Sequence, residues 1–227
     1  MSGGAAAGGA FVAPRLQRSL SAVYRFYDAF LFPPDERTPP LDVTLDVTIP
    51  ALDWAALPWA NDFTYRFSAS TLTRPAPSGA GLAVEVTARN GDYINFEPIL
   101  LTLPLAVSLP PLRSDFLIAR ALWPTPAARP PAGETVVRGT VRSATAQPVA
   151  DLKVVMWSGG SVSPPAGTPY TRTNAAGDFL YRLPQLKGAT GSAVSITIQV
   201  EDGAVTVAPA TLPILLGQTQ IVAFQRA

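Results

Sequence analysis

The chain reads as an all-β protein: two antiparallel β-sandwich domains joined by a proline-rich linker. Three observations predict this. Val43, Leu45, Val47 and Ile49 alternate with Asp42, Thr44, Asp46 and Thr48 without an error, the period of a strand with one face in a core and one in water. The 24 prolines and 17 glycines are scattered rather than periodic, as in a protein with many turns. Between Trp123 and Gly133 four prolines fall within eleven residues, a stretch that cannot enter a sheet interior and favours extended backbone.

The elements follow in order. Residues 1–13 are small and flexible, without the basic and apolar blocks of a secretory signal, so synthesis in the cytoplasm is expected. Over 19–32, Leu20, Tyr24, Tyr27 and Leu31 have helical spacing, whereas Leu20, Ala22, Tyr24, Phe26, Phe30 and Phe32 nearly fit a strand. Aromatic enrichment and the Pro33-Pro34 stop favour the strand, with a short helix as the alternative. After the 41–49 strand, Tyr65, Phe67, Ala69 and Thr71 alternate with Thr64, Arg66, Ser68 and Ser70. Segments 82–88, 99–103 and 116–122, each bounded by Pro, Gly or Asn, complete an N-terminal sandwich over 14–123.

The linker occupies 124–133 and the second domain 134–227. There, strands are expected at 134–143, 152–157, 171–174, 179–183, 194–201, 205–209 and 220–225. Residues 158–169 form a Gly/Pro/Ser loop, the most exposed tip. Ala175-Ala176-Gly177-Asp178 is a tight turn in which Gly177 supplies positive φ, and Asp202-Gly203 marks a hairpin.

Composition narrows the function. Lys+Arg 17 against Asp+Glu 16 gives a net charge of +1, with no basic stripe for a phosphate backbone, so nucleic acid is not an expected partner. No apolar run approaches the roughly 18–20 residues of a membrane span. Cysteine and histidine are absent, which removes thiolate and imidazole zinc sites, disulfides, and Ser-His-Asp or Cys-His catalysis. No cofactor or metal is expected. Asp42 and Asp46, with Asp53 and Asp62 nearby, suit calcium by type, but four strand residues span roughly 13 Å, too far to share one ion. Asp35-Glu36-Arg37 lacks a partner at acid–base spacing. Ser158-Gly159-Gly160-Ser161 lacks the Lys-Ser/Thr and helix of a phosphate loop.

What remains is recognition. Trp54 and Trp59 fall in an Ala-, Leu- and Pro-rich loop, where they can stack on a sugar or a protein surface, or else cap the sandwich. Ser161 in the expected tip loop and Tyr170 directly after it complete the contact set.

Gly139-Thr140-Val141, then Pro148-Val149 leading to Leu152-Lys153-Val154, then Thr173-Asn174-Ala175-Ala176-Gly177-Asp178-Phe179 resembles the pattern of carboxypeptidase-regulatory-like (transthyretin-like) domains. Asn174 stands where that pattern usually has aspartate. The resemblance covers about 94 residues and implies a seven-stranded accessory sandwich without catalytic residues. The block from Arg25-Phe26-Tyr27-Asp28 to Thr38-Pro39-Pro40 resembles accessory proteins of phage-tail-like contractile injection systems. The expectation is therefore a non-enzymatic structural protein of such a particle, made in the cytoplasm and released with it. Its partners would be other assembly proteins or further copies of itself. A surface or extracellular module binding glycans or cell wall through Trp54 and Trp59 is the alternative.

Overall fold

The computed structural model describes residues 18–32, 38–59, 63–70, 79–103, 117–159, 161–186, 188–202 and 205–226. Among them there is no α-helix; two short 3-10 turns accompany sixteen strands. The first nine are β1 (Arg18–Asp28), β2 (Leu45–Ile49), β3 (Trp54–Ala55), β4 (Leu57–Trp59), β5 (Thr64–Ser70), β6 (Gly79–Ala88), β7 (Tyr93–Ile94), β8 (Ile99–Leu103) and β9 (Leu117–Pro124). They form two sheets, ordered β4-β5-β1-β9-β7 and β3-β2-β6-β8.

The aromatic stretch with two readings resolves into strand β1, ended by the 3-10 turn Ala29–Leu31. Its double periodicity has a physical cause. β1 lies between β5 and β9, and consecutive residues Ala22, Val23 and Tyr24 are all buried, so both faces are covered. Strand β2 keeps its alternation: Leu45, Val47 and Ile49 are buried while Asp46 is exposed. Tyr24, Phe26 and Phe67 from one sheet meet Leu45, Val47, Ile49, Val84 and Leu101 from the other in the first core. Tyr24 lies edge-on to Phe67 at 6.1 Å, and Phe26 to Tyr65 at 5.7 Å.

The remaining seven strands are β10 (Val136–Arg142), β11 (Lys153–Ser158), β12 (Tyr170–Arg172), β13 (Asp178–Arg182), β14 (Ala193–Asp202), β15 (Val205–Leu215) and β16 (Thr219–Gln225). Their sheets run β13-β10-β16 and β12-β11-β14-β15. Val137, Val141 and Phe179 face Val154, Met156, Ile196 and Ile198 in a second core. Each half holds one parallel ladder in an otherwise antiparallel arrangement, β1 with β9 and β10 with β16.

The motif residues of the second half converge on one corner. Gly139 sits beneath the Phe179 ring, where an added Cβ would come within 2.2 Å of that ring and 2.8 Å of Val222. Gly177 has φ +76, and a Cβ there would meet the Val141 carbonyl oxygen at 2.5 Å. The Thr173 hydroxyl accepts from the Leu152 amide at 2.9 Å and donates to the Val149 carbonyl at 2.8 Å. The Asn174 side-chain oxygen accepts from the amides of Ala176 and Asp178, 2.9 Å each. An amide oxygen thus does the turn-closing work for which a carboxylate would also serve.

The proline-rich stretch does not hold the halves apart as an extended spacer. Thr125 donates from its amide to Asp92 and from its hydroxyl to the Gly91 carbonyl, both at 2.8 Å. Ala128 is buried, and the Arg138 guanidinium of β10 donates to the carbonyls of Pro126 and Ala128. The segment is stitched to both halves, which touch directly.

Candidate functional site: the junction between the two sandwiches

β1 ends at the junction, and its last residue organises it. The Asp28 carboxylate accepts from the Phe30 amide at 2.9 Å, capping the 3-10 turn. It also accepts from the Tyr93 hydroxyl at 3.0 Å and from the Arg182 guanidinium. Arg182, at the end of β13, donates from Nε to both Glu134 carboxylate oxygens at 3.0 Å and from Nη2 at 2.7 Å. One cation thus bridges a carboxylate of each half, and Asp28, Glu134 and Arg182 are all nearly sealed from water.

Burial is the largest influence on Asp28 and lifts its carboxyl above the usual range, against the pull of Arg182, the Phe30 amide and the Tyr93 hydroxyl. On Arg182 burial acts downward, but its hydrogen bonds to Glu134 and the Asp28 charge outweigh it and keep the guanidinium charged. Burial, then the Asp28 charge, pushes the Tyr93 phenol well up. Beside this bridge Phe30 leaves its own half to pack in the second core, 4.6 Å from the Tyr181 ring centroid. The Tyr181 hydroxyl donates to the Pro169 carbonyl at 2.6 Å, tying down the loop that follows β11.

That loop and β9 border a groove of about 490 Å³ between the halves. Its walls are Phe32, Pro98, Ile99, Trp123, Pro169 and Tyr170, with Arg120 among them. The Trp123 ring lies between Phe96 at 5.5 Å and Tyr170 at 5.3 Å. The Tyr170 hydroxyl donates to Glu97 at 2.7 Å. Lys153 and Arg172 stand 5.4 and 5.9 Å from the centre of its ring. Burial and then the Glu97 carboxylate push the Tyr170 phenol up to about 12.

Of the sequence-derived contact residues, Tyr170 lines this groove among the described residues. The backbones of Trp54 and Trp59 lie on short edge strands, β3 and β4, of opposite sheets rather than in one loop; their side chains are outside the described residues. Ser161 is exposed and works within its own loop. Its carbonyl accepts from the Trp157 indole at 3.0 Å, and its hydroxyl donates to the Ser163 carbonyl at 2.6 Å. Asp46 is clasped by Arg89 at 2.8 Å. Asp35-Glu36-Arg37, Asp62, Gly160, Gly203 and residues 1–13 lie outside the described residues. No group of three or more Asp and Glu that could hold a metal ion occurs among the described residues, and no helix among them is long and apolar enough to cross a membrane.

Asp28, Tyr93, Arg120, Trp123, Glu134 and Arg182 escape the sequence reading. A signal exists for two of them. Asp28 interrupts the aromatic run Phe26-Tyr27-Asp28-Ala29-Phe30, and Arg182 interrupts Phe179-Leu180-Tyr181-Arg182-Leu183. A charge inside an apolar run must find a partner when the run is buried.

No family model matches the chain, and no curated protein matches it. Among solved structures it is similar to the dioxygenase domain of a dioxygenase–carbohydrate-binding protein fusion from Streptomyces sp. SirexAA-E, with 15% identity and a TM-score of 0.26 over 43% of this chain and 82% of that one. It is similar to 3-chlorocatechol 1,2-dioxygenase from Rhodococcus opacus 1CP, with 10% identity and a TM-score of 0.28 over 43% and 61% of the two chains. It is also similar to the shaft pilin SpaA from Lactobacillus rhamnosus GG, with 11% identity and a TM-score of 0.29 over 92% and 99%. Overlaps at these scores carry neither an activity nor a partner to this chain.

Proposed function

We propose that this chain is a non-enzymatic structural protein that works through contacts inside a larger assembly, most concretely as a component of a phage-tail-like contractile particle. Its C-terminal half is, in this reading, a carboxypeptidase-regulatory-like domain serving as an accessory module. The observation that carries the proposal is the welded junction. Asp28 and Arg182 are buried between the halves and the Glu134 side chain is nearly so, and a charge bridge of this kind holds two bodies at one fixed angle because breaking it strands a charge in a dry site. A rigid double block of edge strands suits a part whose task is to keep neighbours in register. Among the described residues β16 is an edge strand, and it displays Ile221, 86% exposed, as an apolar contact beside that edge.

The test is co-sedimentation. Contractile particles from a producing strain are isolated by density-gradient centrifugation, and the chain is followed through a high-salt wash by mass spectrometry. Retention in the particle fraction is expected. Recovery only as a free monomer would remove the proposal.

A further inference from the structure

We propose that the groove between the sandwiches is a binding site for an acidic side chain presented on an apolar, extended segment of a partner protein, with Arg120 as the receptor of the carboxylate. This deepens the assembly reading and rests on it for the nature of the partner.

Most of the polar groups lining the groove are already spent within the protein. Glu97 accepts from Tyr170 at 2.7 Å. The Asn95 side-chain oxygen accepts from the Glu97 amide at 3.2 Å, and the Thr168 hydroxyl donates to the Pro165 carbonyl at 2.7 Å. Arg120 differs. Its guanidinium makes one hydrogen bond, from Nη1 to the carbonyl of its own neighbour Ala119 at 3.0 Å. It has no carboxylate partner among the described residues, although it is partly buried. Lys153, Arg172 and Arg182 each have one, and Arg138 spends its guanidinium on the carbonyls of Pro126 and Ala128.

A planar fork of donors left unspent in a concave, aromatic- and proline-walled site is suited to a carboxylate held by two parallel hydrogen bonds. The volume, about 490 Å³, lies within the range that encloses a few side chains. The side chains beside Arg120, from Phe32, Pro98, Ile99 and Pro169, are all apolar, so the residues flanking the acid should be apolar too. The Trp123 indole N–H in the same wall has no acceptor within the protein and is sealed from water. Its resonance is a reporter of occupancy.

The experiment titrates the isotope-labelled full chain with acetyl-Val-Glu-Val-amide and with acetyl-Val-Gln-Val-amide, observed by NMR. Saturable shifts of the Trp123 indole and Tyr170 signals are expected, with the Glu peptide binding about tenfold more tightly than the Gln peptide. Arg120→Gln should erase that difference, and Arg120→Lys, which keeps the charge without the fork, should recover only part of it. Equal binding of the two peptides to the unmutated chain, shifts elsewhere, or displacement of the Glu peptide by an equal concentration of acetate would each overturn the inference, whether or not the variants fold. Loss of peptide binding with particle co-sedimentation intact would remove this site alone. Peptide binding without co-sedimentation would remove the assembly reading instead.

Discussion

The two halves bury comparable apolar cores but specify them differently. In the first, Tyr24, Phe26, Tyr65 and Phe67 fill the space between sheets through bulk and ring geometry, a solution that many aromatic arrangements would satisfy. In the second, the corner around Gly139, Gly177, Thr173 and Asn174 admits almost no alternatives, since each position is fixed by a close approach or a backbone hydrogen bond. Packing by volume leaves a faint trace in sequence, whereas packing by unique local geometry leaves a motif. The halves should therefore respond differently to small changes.

The largest effect is expected at the second half's glycines. Gly177→Ala places a methyl against the Val141 carbonyl at positive φ, and should cost about 2–5 kcal/mol in a denaturant titration. No shortening of a neighbouring side chain should rescue it, because the obstacle is backbone. Gly139→Ala meets the Phe179 ring instead and should cost about 1–3 kcal/mol, with partial recovery in the double variant Gly139→Ala/Phe179→Leu. Equal rescue at both sites would erase the distinction between the two modes of packing.

The junction tests whether the halves behave as one body. Arg182→Met strands Asp28 and Glu134 together and should destabilise by roughly 3–5 kcal/mol. It should also split a single unfolding transition into two, seen by calorimetry. If unfolding remains one transition of unchanged midpoint, the bridge does not weld the halves.

A smaller effect of opposite sign is expected in the first core. The Tyr24 hydroxyl is fully buried and has no hydrogen-bond partner, and burial pushes its phenol up to about 12, only partly countered by Arg120. Tyr24→Phe removes an unsatisfied polar atom while keeping the ring, and should stabilise by about 1 kcal/mol. A loss of stability would mean that the hydroxyl has a partner after all.

The same contrast explains what could be read from sequence. Leu45–Ile49 announces itself because a half-buried strand imposes period two, and Gly177 because a tight turn demands positive φ. Strands β3, β4 and β7 are two or three residues long, too short for any period to register. The parallel pairing of β1 with β9 joins segments whose local sequence carries no sign of direction. Asp28 and Arg182 lie 154 positions apart, so each shows as a charge in an apolar run without naming its partner. Tyr170 is chosen for its place beside the tip loop, but it opens β12 and borders the groove next to Pro169, whose carbonyl Tyr181 holds. The groove itself needs both halves and is written in neither.

The smallest effect lies on the solvent face of β2 and brackets the comparison from below. Arg89 hydrogen-bonds both oxygens of Asp46 at 2.8–3.1 Å, and this contact, more than the opposing desolvation, holds the Asp46 carboxyl below its usual range. Folded Asp46 therefore releases its proton more readily than the unfolded chain does. The contribution is complete above the ordinary carboxylate value of about 3.9 and is lost as pH falls through the lower folded value. Both side chains are exposed, so water and salt screen the pair and little stability hangs on it. Arg89→Gln should return the Asp46 titration, followed by carboxyl NMR, to the ordinary range while leaving the midpoint of unfolding at pH 7 nearly unmoved. The contrast with Arg182 is then one of burial and of number, since Arg182 holds two carboxylates in a dry site and Arg89 holds one in water. A large loss of stability from Arg89→Gln would show that exposure does not separate these two pairs, and the weight placed on the dry junction would have to be redistributed over the surface.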